Sequence, residues 1–217
     1  LFLFVRSTKF VRSPILCATA MSPYATLDRI IADLDYKGNA VYIPPYPKDT
    51  YIPEHLAGLK DMVVFVSAND STTMPTIEEI AKKQFLVKNP EGICVVPPGS
   101  GLVNMFEREL KLAFTKIDQE SFYEFLPAVI LNTLELASNF EINAEKEFIH
   151  VTISDSVYRS LYSKELNLKS LYYIGCPLTS AVACALAITT RKPVTITKSK
   201  ISPDLKTIET WYQIIEG

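Results

Sequence analysis

The sequence predicts an α/β fold: a Rossmann-like, mostly parallel sheet with helices on both faces and a C-terminal β-hairpin. Three observations predict it. Apolar strand-like runs alternate with helix-period stretches, the pattern of successive βα units. Asp61-Met-Val-Val-Phe-Val66 is a continuous apolar run, as expected of a strand covered on both faces. Near the end, two alternating segments flank Ser202-Pro-Asp204, a hairpin signal.

The elements follow in order. Ile15 to Ala20 reads as a buried strand. Ser22-Pro-Tyr then opens a helix over Tyr24 to Leu34, whose Leu27, Ile30, Ile31 and Leu34 recur at helix spacing. Ala40 to Ile43 is a second strand, stopped by Pro44-Pro45, and a proline-rich loop runs on to Pro53. After the strand over 61–66 and the polar cluster Ser67 to Thr73, a helix is expected from Pro75 to Val87. Gly92 to Val96 is a strand, and Pro97-Pro-Gly-Ser-Gly101 is the turn after it. Two helical pieces follow, Leu102 to Phe114 and Ser121 to Phe140, the second with Pro127 as a kink site. Phe148 to Ile153 is a strand, Val157 to Leu166 a short helix and Ser170 to Ile174 a further strand. Gly175-Cys-Pro-Leu-Thr-Ser180 then enters a helix from Ala181 to Thr190. Pro193 to Thr197 and Thr207 to Ile215 close the chain as the hairpin. The whole of 1–217 reads as one domain, with 102–145 as a helical segment within it.

Bulk composition narrows the function. The 217 residues are 48% hydrophobic and 21% charged, enough apolar material for a large core. A net charge of −2 gives no basic field for long nucleic acid. No apolar run approaches the length of a membrane span. The four cysteines (Cys17, Cys94, Cys176 and Cys184) are widely spaced in or beside apolar runs, matching neither a zinc pattern nor a disulfide framework. Free thiols suit a reducing, cytoplasmic interior. No metal and no cofactor is expected. Leu1 is not methionine, so residues before it are left open.

Candidate chemistry gathers at the ends of the expected strands. Thr19 to Ser22, Ser67 to Thr73 with Asn69, Pro97 to Gly101 and Gly175 to Ser180 are all small or hydroxyl-bearing. In an open parallel sheet such turns share one rim, where helix N-termini meet an anion. Ligand contacts are therefore expected from Thr19, Ser22, Asn69, Gly99, Ser100, Gly101, Gly175, Thr179 and Ser180. Asp155 is placed to orient a ribose hydroxyl or to cap the next helix. Arg159, Lys198 and Lys200 are candidate phosphate partners, and Tyr158, Tyr162, Tyr172 and Tyr173 offer base stacking or core packing. Pro97 to Gly101 lacks the Gly-Lys-Ser/Thr ending of a P-loop and is not Gly-x-Gly-x-x-Gly, so nucleotide-triphosphate hydrolysis and dinucleotide redox chemistry are set aside. Cys176, at a strand-to-helix junction, is a candidate nucleophile that would need a base. The two histidines, His55 in the proline-rich loop and His150 within a strand, are the bases on offer.

The segment from Gly92 to Leu161 resembles the CRISPR-associated Rossmann fold (CARF) sensor domains of type III ancillary proteins. It carries Val-Pro-Pro-Gly-Ser-Gly after a strand, Ser121-Phe-Tyr-Glu-Phe-Leu126 opening a long helix, and Phe148 to Ile153 leading through a polar turn into Val157-Tyr-Arg-Ser-Leu161. The resemblance implies a homodimer that binds a cyclic oligoadenylate, or another small anionic nucleotide, across its axis. It implies antiviral defence as the setting. It leaves open sensing alone or metal-independent cleavage as a ring nuclease, with Ser22 and Lys198 (or Arg159) as the catalytic pair. No Arg-x₄₋₆-His pattern of the effector ribonucleases is present. Two alternatives stand beside it: a small-molecule enzyme using Cys176, and a non-catalytic scaffold or interaction domain.

Overall fold

Ten consecutive residues of one helix, Leu178 to Ala187, are all buried, and this organises the molecule. A helix that is apolar on every side has no solvent face and must lie inside. In the computed structural model, which describes residues 13–37, 39–46, 51, 60–69 and 73–216, that helix packs between a sheet and a second layer of helical segments.

The helices are α1 (Ser13–Asp33), α2 (Ile77–Ala81), α3 (Ser100–Leu110), α4 (Gln119–Ala128), which continues as a π-helical turn (Val129–Thr133), and the buried α5 (Pro177–Thr190). The strands are β1 (Asn39–Ile43), β2 (Val63–Ser67), β3 (Leu86–Lys88), β4 (Glu91–Val95), β5 (Asn139–Glu145), β6 (Phe148–Ser154), β7 (Val194–Ile201) and β8 (Thr207–Ile214). They form one eight-stranded sheet in the order β3-β4-β2-β1-β7-β8-β6-β5.

Every strand pair in that sheet is antiparallel. The expected Rossmann-like, mostly parallel sheet is therefore wrong, and the reason is local. Parallel neighbours need a crossover of a dozen or more residues between them. Two of the strands that would have framed such crossovers do not exist. Ile15 to Ala20 lies within α1, and Ser170 to Tyr172 is a 3₁₀ turn. Two strands that the sequence concealed appear instead, each joined to its neighbour by a tight turn. β3 takes the end of the helix expected over Pro75 to Val87, of which only α2 is helical. β5 takes the end of the helix expected over Ser121 to Phe140. The short helix expected over Val157 to Leu166 is a 3₁₀ turn, Arg159–Tyr162. The strands over 40–43, 61–66, 92–96 and 148–153, and the closing hairpin, stand as expected to within a few residues.

Helix α1 shows why a short apolar run is ambiguous. Cys17, Tyr24 and Ile31 are its buried residues, spaced at seven, the stripe of a helix lying on a core. No described helix is long and apolar enough to cross a membrane.

The sheet has two halves. β3, β4, β2 and β1 come from residues 39–95, and β5 to β8 from residues 139–214. Between β1 and β7 only Val41↔Thr195 and Tyr42↔Val194 are in register. Helix α5 spans this seam, touching β1, β7 and β8. Its small residues (Ala181, Ala183, Ala185 and Ala187) let neighbouring backbone come close. Gly99 uses that space: a Cβ built there would lie 2.0 Å from the Ala181 nitrogen. Gly99→Ala is thus expected to destabilise the fold by roughly 3 kcal/mol or more, read from the urea unfolding midpoint. Gly101, with nothing within 4 Å of a built Cβ, is the control, and Gly101→Ala should leave the midpoint unchanged or raised.

Candidate functional site

The turn into α5 was expected to face a ligand, and the structure buries it. Cys176, Thr179 and Ser180 are fully covered. Gly175 has φ +79°, and a Cβ there would sit 2.5 Å from Thr179 Oγ1, so glycine is required. Tyrosine hydroxyls meet this turn from four separate elements. Tyr24 of α1 donates to the Gly175 carbonyl at 2.7 Å. Tyr212 of β8 donates to the Thr179 carbonyl at 3.0 Å. Tyr162 accepts from the Cys176 amide at 3.3 Å. Tyr42 of β1 donates to the Ile174 carbonyl, and its oxygen lies 2.9 Å from Ser180 Oγ. A hydroxyl carries one proton, so Ser180 supplies the proton of that second bond. Ser180 Oγ in turn accepts the Gly99 amide at 3.0 Å. Burial raises the pKa of all four phenols, which keeps them neutral donors.

Two of the sequence-predicted turns, Pro97 to Gly101 and Gly175 to Ser180, do converge. They converge on each other, where the Gly99 amide donates to Ser180 Oγ. The remaining candidates scatter. Thr19 and Ser22 lie exposed on α1, and the Thr19 hydroxyl bonds back to the Ile15 and Leu16 carbonyls within the helix. Asn69 is exposed just after β2, and Gly101 is exposed on α3. Asp155 and Arg159, both exposed, pair with each other. Lys198 lies on β7 with its ammonium 5.2 Å from the Trp211 ring centroid. The expected catalytic pair, Ser22 and Lys198, therefore sits on two separate elements, α1 and β7. Cys176 has Thr179 Oγ1 beside its thiol at 3.5 Å and no solvent access. His150 is on β6, stacked on Trp211, and His55 lies outside the described residues. Tyr158 and Tyr162 are core residues, while Tyr172 is 45% exposed and meets Tyr162 edge to face.

What sequence reasoning missed is a cleft of about 530 Å³ where β2 begins and β4 ends, against α3 and α5. Met62 and Val63 come from the entry to β2, Cys94 and Val95 from the end of β4 with Val96 just beyond it, Val103 and Asn104 from α3, and Cys184 and Ile188 from α5. Ser100 is the one predicted ligand residue that lines it. The charged residues of the lining are Lys60, Asp61, Lys83 and Glu107. Lys83 pairs with Asp61 at 2.6 Å, and Glu107 accepts the Phe114 amide at 2.8 Å. Burial pushes the Cys94 thiol up to about 11 and raises the Cys184 thiol as well, so both stay protonated at neutral pH. Among the described residues no three His, Cys, Asp or Glu side chains are grouped to hold a metal ion. The one available sequence signal was the length of the apolar run Ile93 to Val96, which overshoots β4 and leaves Val96 76% exposed at the cleft mouth.

A family model described as "Domain of unknown function (DUF7982)" matches residues 1–210. No curated protein and no solved structure matches the chain.

The buried tyrosine network makes a stability prediction. Tyr42→Phe removes the donor to Ile174 and strands part of the Ser180 hydrogen bonding, a loss of about 1–3 kcal/mol. Tyr172→Phe alters an exposed ring and should shift stability by less than about 0.5 kcal/mol. Urea unfolding of the two variants beside the parent chain checks the contrast.

Proposed function

The chain belongs to the family described as a domain of unknown function (DUF7982), and we propose that it is a binding domain holding a small, largely apolar molecule in the cleft between β2, β4, α3 and α5. The observation that carries this reading is the cleft itself. Its volume of about 530 Å³ falls within the usual range for small-molecule sites, roughly 300–1,000 Å³. Met62, Val95, Val103 and Ile188 give apolar walls, and Ser100 and Asn104 place hydrogen-bonding groups along one helix. Apolar walls supply affinity and a few polar groups fix orientation.

The lining chemistry favours holding over transforming. Both thiols at the cleft are kept protonated by burial, and no histidine lines it among the described residues. The cyclic-oligoadenylate reading needs several strand-end turns open to an anion. In this fold the Gly175 to Ser180 turn is internal, and Thr19 and Ser22 belong to a helix flank. A largely apolar guest suits the cleft better than a ring of phosphates, because its walls are mostly Met, Val, Ile and Phe and its two lysines, Lys60 and Lys83, share the lining with Asp61 and Glu107.

The test uses N-phenyl-1-naphthylamine, an uncharged fluorescent dye, as the apolar probe and cyclic tetra-adenylate as the competitor class. The folded chain should bind the dye with a single-site isotherm. Asn104→Trp, an exposed helix position at the cleft wall, should weaken binding by about tenfold or more by steric filling. Cyclic tetra-adenylate should give no heat in calorimetry. Dye binding unchanged by Asn104→Trp, or cyclic tetra-adenylate heat that survives that substitution, would reject the cleft as the site.

A further inference from the structure

The inner face of the β5–β8 half-sheet packs on the core, while its outer face is built like half of an interface. Strand alternation puts Ile149, Val151 and Ile153 of β6 and Ile208, Thr210 and Tyr212 of β8 inside. The intervening residues share the opposite face in registered rows. One row runs Asn143, His150, Trp211, Lys198, and the next runs Glu141, Thr152, Glu209, Lys200. Phe148, next along β6, is 51% exposed.

The centre of this face is pre-ordered. The His150 ring stacks on Trp211 at 4.5 Å with an interplanar angle of 17°. Lys198 and Lys200 place their ammonium groups 5.2 and 5.6 Å from the Trp211 ring centroid. His150 Nε2 lies 3.5 Å from Glu209 Oε1. Side chains already fixed lose less freedom on docking. The indole is thus flanked by an imidazole and two ammonium groups.

Charge across the face is polarised. The β5 side carries Glu141 and Glu145, both exposed, and the β7 side carries Lys198 and Lys200, both exposed. We propose that this outer face docks a second copy of the chain, sheet on sheet, about a two-fold axis running along the strands between β6 and β8. That operation turns the face over and reverses the lateral strand order. It lays β5 of one copy over β7 of its partner and β6 over β8. The acidic flank of each copy then meets the basic flank of the other, so the contact occurs twice, the self-complementarity that an isologous interface requires. Phe148, His150 and Trp211 become the centre, with strand directions aligned as in packed sheets.

The footprint sets the strength. Four strands of about seven residues cover about 19 Å by about 23 Å, hence roughly 900 Å² for the two copies, below the standard interface size. The dimer is therefore weak, concentration-dependent and salt-sensitive. It is separate from the cleft and stands whether or not the cleft takes a ligand.

Charge reversal gives the test, read by sedimentation velocity over a wide concentration range and by emission of Trp211, the single tryptophan of the chain. The parent chain should self-associate and shift Trp211 emission to the blue with concentration, with association weakened about tenfold in high salt. Lys198→Glu with Lys200→Glu makes both flanks acidic, and Glu141→Lys with Glu145→Lys makes both basic. Each double variant alone should remain monomeric, with a circular dichroism spectrum like the parent's. An equimolar mixture of the two should form a heterodimer. A parent chain that stays monomeric throughout, variants that associate like the parent, or folded variants that ignore each other when mixed would overturn the proposal.

Discussion

Four phenolic hydroxyls converging on one turn hold this fold together. Tyr24, Tyr42, Tyr162 and Tyr212 come from α1, β1, a 3₁₀ turn and β8, and each hydrogen-bonds backbone between Ile174 and Thr179. The constraint they answer is the seam in the sheet. Two sequence-local half-sheets meet through two registered residue pairs, too short a ladder to fix their relation. Helix α5 bridges the gap, and its first turn carries backbone groups that cannot reach water. A buried carbonyl or amide left unpaired costs about 1–3 kcal/mol. Each tyrosine satisfies one such group while its ring fills core space, so a single residue type does the work of a cap and a wedge.

Much of the fold was legible and its connectivity was not. The hairpin over β7 and β8 shows in the sequence because Ser202-Pro-Asp204 punctuates two alternating strands. Helix α5 shows because Pro177 sits at its first turn and an alanine-rich apolar run follows. β5 is concealed because its turn to β6 uses Lys146 at φ 53°, where the usual marker would be glycine or asparagine. With the turn silent, Asn139 to Glu145 reads as the tail of a helix. Ile15 to Ala20 is short and apolar, a pattern that helix and strand share, and only the wider spacing of Cys17, Tyr24 and Ile31 separates them. Once those strands are misplaced, an antiparallel sheet reads as a run of βα units.

The site was legible in the same partial sense. Small and hydroxyl-bearing residues at Pro97 to Gly101 and Gly175 to Ser180 do signal close approach of backbone. The approach is to each other, through the Gly99 amide and Ser180 Oγ. Sequence cannot tell a glycine that makes room for a ligand from one that makes room for a helix. The cleft was invisible because its lining residues are ordinary apolar side chains from four elements, brought together only by tertiary packing. The outer-face row of His150 and Trp211 was hidden for a related reason: their pairing depends on β6–β8 register, which no local pattern encodes.

The role of the tyrosine network can be tested by titrating the phenols. Burial raises the pKa of these four groups above the ordinary value of 10.0, and the folded state keeps their protons while the unfolded chain releases them. Their contribution is full below pH 10 and is lost as pH rises beyond it, by about 1.4 kcal/mol per pH unit for each phenol. Near-ultraviolet absorbance of tyrosinate, followed alongside circular dichroism, reads both events on one sample. The account predicts that four of the eleven tyrosines ionise only together with cooperative alkaline unfolding. Ionisation of all eleven near their ordinary pKa, with the secondary structure intact, would contradict it.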